Sequence, residues 1–248
     1  LGSKSGVRLI ATPGRGAASY RAGVEIKLEP GAITYWRTPG EAGAPPEFSF
    51  EGSENVAEAA VSYPVPERID EDGTEAFGYR GGVVFPLRVE AKDPARPVIL
   101  KAAISYAVCQ RICLPAKAEA SLTLSPDPLL QRAAPGEAAE IASAEALVPV
   151  RLTAEEEGEK LKVAREERAA RPAWRVSVVD GKAEDVFAEA PPGWYFETRK
   201  AESPNEFLLT LAGKPAGSGP LPPVTLTVKR KDRSFEAAVS LDPSRPLR

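Results

Sequence analysis

In VILKAAISYAVCQRICLPAKAEASLTL, residues 98–124, an apolar run enters a close cysteine pair and an alternating run leaves it. Residues 98–106 (VILKAAISY) and 118–124 (AEASLTL) both read as strands, the second with apolar and polar positions at a period of two. Cys109 and Cys113 therefore stand at the junction of two antiparallel strands. Similar signals lie on either side. Residues 24–28 (VEIKL) alternate, 56–63 (VAEAAVSY) do so more weakly, and 83–89 (VVFPLRV) are apolar enough for burial on both faces. Pro86 in the last of these predicts an edge strand or a bulge, because proline cannot donate to the ladder.

The 25 prolines and 20 glycines cluster at turn-like places such as Thr38-Pro39-Gly40, Pro191-Pro192-Gly193 and Gly219-Pro220. Many short strands with such punctuation predict a β-sandwich. The texture changes at Ser125-Pro126-Asp127-Pro128, after which residues 135–147 (PGEAAEIASAEAL) have helical composition. Strand signals resume at 160–163, 174–179, 194–197, 207–211, 224–228 and 235–241, with Asp180-Gly181 as a hairpin signal. The expected fold is all-β, with two immunoglobulin-like β-sandwich domains. The first spans 1–127, a short linker of helical composition 128–148, and a second domain without cysteine 149–248. The halves share no residue-level repeat. The charge clusters at 155–157 and 165–168 are expected on solvated loops and strand edges.

Composition narrows the chemistry. A net charge of −3 leaves no basic surplus for nucleic acid. No apolar run reaches the ~18 residues that cross a bilayer. The opening Leu1-Gly2-Ser3, with neither Met nor an apolar signal core, reads as a vector remnant ahead of an excised segment. The chain has no Met and no His, so Cys–His hydrolysis has no base and a Cu(I) site has no further soft ligand. Structural zinc would need two carboxylates beside the thiols. No metal and no cofactor is expected.

The cysteine pair leaves two readings, a structural clip or a site of electron exchange. C-x-x-x-C is not the thioredoxin spacing and lies in no βαβ context. Closing a loop of about five residues is worth only ~2 kcal/mol in the chain-entropy model. A domain of this size does not need that staple, and so short a loop restricts the torsions and favours reduction.

Three runs, 34–56 (TYWRTPGEAGAPPEFSFEGSENV), 78–89 (GYRGGVVFPLRV) and 104–124 (ISYAVCQRICLPAKAEASLTL), resemble the periplasmic N-terminal region of the DsbD/ScsB protein-disulfide reductases. The C-x-x-x-C spacing and the cysteine-free β domain that follows are closer to the ScsB-like branch (suppressor of copper sensitivity). Tyr106, Cys109, Cys113 and Pro115 are the most diagnostic residues. The resemblance implies an immunoglobulin-like fold with the pair on one hairpin, and a periplasmic location. It implies that a transmembrane thiol domain and a thioredoxin-like domain of the parent protein reduce the pair. The pair then reduces thioredoxin-fold periplasmic proteins through mixed disulfides. It also implies that Cys113 makes the intermolecular bond and Cys109 resolves it. An aromatic cap over the pair corresponds to residues 67–80 (ERIDEDGTEAFGYR), with Phe77 or Tyr79 as the cap, or Phe77 as an ordinary buried ring. Asp70, Glu71 and Asp72 would raise a nearby thiol pKa by like-charge repulsion. Tyr35, Trp36 and Tyr106 flank the site or fill the core, and Arg111 favours a thiolate or points to water. Copper tolerance would be indirect, through repair of oxidised thiols. Two rivals are a β-sandwich binding or assembly module with a structural disulfide, and a Cu(I)-binding periplasmic protein.

Overall fold

Every second residue from Val98 to Val108 is buried and those between are not, which makes this segment a strand with one face in a core. The computed structural model describes residues 5–12, 18–40, 43–71, 73–127, 134–167 and 169–242. The chain divides into two compact units, Leu1–Leu147 and Val148–Arg248.

The strands of the first unit are β1 (Ser5–Ala11), β2 (Ser19–Leu28), β3 (Ile33–Gly40), β4 (Glu47–Ser49), β5 (Val56–Val61), β6 (Glu67–Glu71), β7 (Thr74–Arg80), β8 (Gly82–Ala91), β9 (Val98–Cys109) and β10 (Cys113–Leu124). One sheet has the order β1-β2-β8-β5, and the other β10-β9-β3-β7-β6 with β4 also on β9. The sheets pack face to face: Ala22, Leu87 and Val89 of the first join Val98, Leu100 and Leu124 of the second in one core cluster. Burying each large apolar side chain is worth about 1.5–3 kcal/mol.

Helix α1 (Glu137–Ala146) is counted with this unit. The segment that the sequence offers as a connector is packed down by Ile141 and Ala144, which are buried. Ion pairs fasten it further, from Arg8 to Glu137 and Glu140 and from Arg21 to Glu145. Pro86 corrects one expectation. It marks neither edge nor bulge, since β8 runs between β2 and β5 with Pro86 opposite Gly23. The ladder tolerates it because β5 ends at Val61, one residue short of Pro86, whose carbonyl accepts from Ser62 N–H (2.8 Å).

The second unit contains β11 (Val150–Arg151), α2 (Ala154–Lys160), β12 (Leu161–Arg165), β13 (Ala173–Val178), β14 (Ala183–Glu189), β15 (Tyr195–Lys200), β16 (Glu206–Gly213), β17 (Val224–Arg230) and β18 (Phe235–Val239). Its sheets are β11-β18-β17-β14 and β12-β13-β16-β15. Val176, Leu209, Leu226, Val228 and Phe235 form the centre of its core, and Trp174 Nε1 donates to the Leu241 carbonyl (3.0 Å). Asp180-Gly181 is not a hairpin turn. β13 pairs with β12 and β16 while β14 pairs with β17, so the chain crosses there from one sheet to the other. Asn205 holds the crossing, donating to Gly181 O (2.7 Å) and accepting from Ala183 N–H (3.0 Å). The acidic run 155–157 lies in α2, which opens on a Thr153/Glu156 capping box rather than a loop. Among the described residues no helix is long and apolar enough to cross a membrane.

Candidate functional site

Cys109 closes β9 and Cys113 opens β10, opposite each other in register, and the two sulfurs are bonded at 2.06 Å. Cys109 departs from the alternation of its strand. Val108 points into the main core, so Cys109 points to the other face, where it is 1 % exposed among Ile33, Tyr35, Ile69 and Ala76. Around this cysteine the sheet is covered on both faces. Cys113 is exposed, and so are its neighbours, Ile112 (68 %) in the connecting bend and Leu114 (45 %) on the edge strand β10. One bond thus joins a buried cysteine to an exposed one.

The Tyr35 hydroxyl lies between the pair and a carboxylate. It is 2.8 Å from Cys109 Sγ and 3.3 Å from Cys113 Sγ, and it donates to Glu71 Oε2 (2.9 Å) and Oε1 (3.2 Å). Burial, first, and then the Glu71 carboxylate push the Tyr35 pKa far above the usual tyrosine value. A disulfide sulfur has no proton to give, so the neutral phenol is the donor in this group.

Two glycines set this geometry. A Cβ at Gly78 would overlap the Thr34 carbonyl, and its absence lets β7 approach β3 beside Tyr35. Gly43, at φ +107°, passes over Tyr35 so closely that a Cβ would run into the ring. Glu71 is brought in by the β6–β7 hairpin, whose turn uses Gly73 at φ +87° and a bond from Gly73 N–H to Asp70 Oδ1 (2.7 Å). A cavity of about 280 Å³ opens beside the bond, lined by Glu71, Arg80, Arg111 and both cysteines among others. A ligand atom from each of Glu71, Cys109 and Cys113 lies within 4.8 Å of the others.

Of the residues singled out from sequence, the structure brings Tyr35, Glu71, Asp70 and Arg111 to the pair or its cavity. Phe77 and Tyr79 alternate with Ala76 and Gly78 and so point to the opposite face of the sheet from Cys109. Both are buried; Arg68 covers Phe77 at 5.2 Å, and Tyr79 donates to Pro64 O (2.8 Å) and meets Phe85 edge-on. Tyr106 shares the inner face of β9 with Val108, its hydroxyl 2.7 Å from Ser5 Oγ. Trp36 is fully buried under the Arg37 guanidinium. Asp72 lies outside the described residues. Sequence reasoning weighed Glu71 only as a charge and passed over Gly43. A glycine ahead of Ala44-Pro45-Pro46 was the one visible hint of the latter.

Comparison with known proteins adds an independent line. Residues 15–125 match the family described as "Thiol:disulfide interchange protein DsbD, N-terminal". The chain is similar in structure to the N-terminal periplasmic domain of ScsB from Proteus mirabilis, with a TM-score of 0.67 at 20 % identity, over 94 % of this chain and 90 % of that one. A protein of unknown function from Porphyromonas gingivalis W83 aligns over 96 % of this chain and 100 % of its own, but at 10 % identity and a TM-score of 0.25 it carries no argument. None of the curated proteins searched matches the chain.

Proposed function

We propose, from the match of residues 15–125 to the DsbD N-terminal family of thiol:disulfide interchange proteins, that the chain is a periplasmic electron relay of the ScsB-like kind. It takes electrons from a membrane-embedded thiol domain and delivers them to disulfides of thioredoxin-fold periplasmic proteins. The 149–248 domain carries no thiol, so the electron-carrying pair lies wholly in the first domain. The observation that carries the reading is the asymmetry of the bond, with Cys113 open and Cys109 sealed beside a hydroxyl.

Loading begins when a donor thiolate attacks Cys113 Sγ, the sulfur that solvent reaches. A donor–Cys113 bond forms, the Cys109–Cys113 bond breaks, and the electron pair leaves on Cys109 as a thiolate. The Tyr35 O–H turns to that thiolate and stabilises it. The donor's second thiolate then attacks its own sulfur in the mixed disulfide and releases Cys113 reduced. Delivery reverses the order. Cys113 attacks a client disulfide, one client sulfur leaves as a thiolate, and Cys109 then attacks Cys113 Sγ to free the reduced client. The client gains two electrons and the pair is oxidised again. The Glu71 carboxylate beside the sulfurs disfavours thiolates by like-charge repulsion, so the reduced pair rests as thiols until a partner covers it.

The test is equilibration with a reduced thioredoxin-fold protein, quenched in acid and resolved by mass. Reversible transfer of two electrons, at a potential within the range of such partners, supports the relay. A pair that stays oxidised against an excess of reduced partner makes the disulfide a clip.

A further inference from the structure

We infer that, when reduced, this site is a zinc site with Cys109, Cys113 and Glu71 as its three protein ligands, and that zinc held there stops electron transfer. The inference rests on the relay reading in one respect, because the pair must exist as a dithiol for part of its cycle.

The three donors stand on two hairpins, within side-chain reach of one point. Cys109 and Cys113 face each other in register on one hairpin, so their sulfurs stay on one side of the sheet after the bond opens. Glu71 reaches the same point from another hairpin, within 4.8 Å of both sulfurs. Zinc bonds at ~2.3 Å to sulfur and ~2.0–2.2 Å to carboxylate oxygen, and its tetrahedral ligands then stand some 3.5–3.7 Å apart. Small side-chain movements cover that difference.

Three protein ligands leave one position open, and the adjoining cavity of about 280 Å³ has room for a water there. The Tyr35 hydroxyl donates to both Glu71 oxygens, the outer-shell bond that orients a carboxylate ligand. Two thiolates and a carboxylate around Zn²⁺ leave a net charge of −1, and Arg80 and Arg111 line the same cavity. Glu71 also selects the ion. Cu(I) prefers two soft thiolates alone, whereas a mixed thiolate–carboxylate set suits zinc. Binding releases the two thiol protons and is not itself a redox step. A coordinated thiolate on Cys113 is no longer a free nucleophile, so the loaded chain cannot attack a client.

The experiment titrates the full chain with zinc against a chromophoric chelator, in the reduced and the oxidised state. One zinc per reduced chain is expected, and none for the oxidised chain. Glu71→Gln should weaken binding at least about tenfold, and Glu71→Asp by less. Cobalt(II) in the reduced chain should show tetrahedral d–d bands with thiolate charge transfer, lost in Cys113→Ser. Zinc binding unchanged in Glu71→Gln, or one zinc shared by two chains, overturns the inference. Exchange with dithiothreitol in metal-free buffer separates the two failures. A chain that exchanges but binds no zinc leaves the relay intact, and a chain that does not exchange removes the relay itself.

Discussion

Both units are built from two antiparallel-rich sheets around an alternating apolar core, yet they differ in what lies outside that core. In the second unit most buried apolar residues from Leu152 to Leu241 gather into one cluster, with Phe187 and Ala173 buried outside it and no cysteine among them. In the first, a separate small cluster of Ile33, Tyr35, Ile69, Ala76 and Cys109 covers the outer face of a sheet whose inner face is already packed. The lesson is that reactivity here comes from a local second layer and not from the fold. A β-sandwich buries one face of each sheet; sealing one sulfur of a hairpin disulfide needs burial on the other face as well. The glycines at 43 and 78 and the β6–β7 hairpin supply it.

Cavities of similar chemistry in the two places sharpen the contrast. Leu209→Ala in the second core should cost about 2–5 kcal/mol in denaturant unfolding and leave the exchange rate with dithiothreitol unchanged. Ile69→Ala in the outer cluster should cost a similar amount and also change that rate, because it loosens the seal on Cys109. Equal effects on exchange from both would remove the distinction between the layers. The next effect is smaller. Tyr35→Phe keeps the ring under Gly43 but deletes the donor, and should slow exchange about tenfold, ~1.4 kcal/mol of transition-state stabilisation. Stopped-flow reduction would read it, and an unchanged rate would make Tyr35 a spacer.

The smallest effect is in the pH dependence. Burial raises the pKa of Tyr35, with Tyr20 and Tyr63 shifted the same way. Near pH 10 an unfolded tyrosine loses its proton while the folded one keeps it, so the folded state binds more protons and stability falls as pH rises. The contribution of Tyr35 is complete below the unfolded pKa and declines above it, by under about 1 kcal/mol at pH ~10.5. Unfolding midpoints between neutral pH and that value should fall less steeply in Tyr35→Phe than in wild type.

Much of the scaffold was legible because alternation is a local property. Residues 98–106 and 224–228 announce strands on their own, and the cysteine hairpin follows from strands on both sides of a short loop. What alternation cannot show is which strands pair. Asp180-Gly181 has hairpin chemistry, but β13 finds its partner in β16, some thirty residues on. Pro86 breaks a local rule, and only the length of β5 makes it harmless. Thr153-x-x-Glu156 was readable as a capping box, but three successive glutamates disguised it as a charged loop. At the site, Cys109 and Cys113 were visible from composition. The parity that sends Phe77 inward and Glu71 to the disulfide depends on register, which a sequence of short, weakly apolar strands does not declare.

The central claim is that the exposed sulfur is the one attacked. Cys109→Ser and Cys113→Ser variants, each mixed with an oxidised thioredoxin-fold protein and analysed by intact mass and peptide mapping, test it most directly. A stable mixed disulfide on Cys113 in the first variant, with little or none on Cys109 in the second, is the predicted outcome. Equal trapping on both sulfurs, or trapping on Cys109 alone, would contradict it.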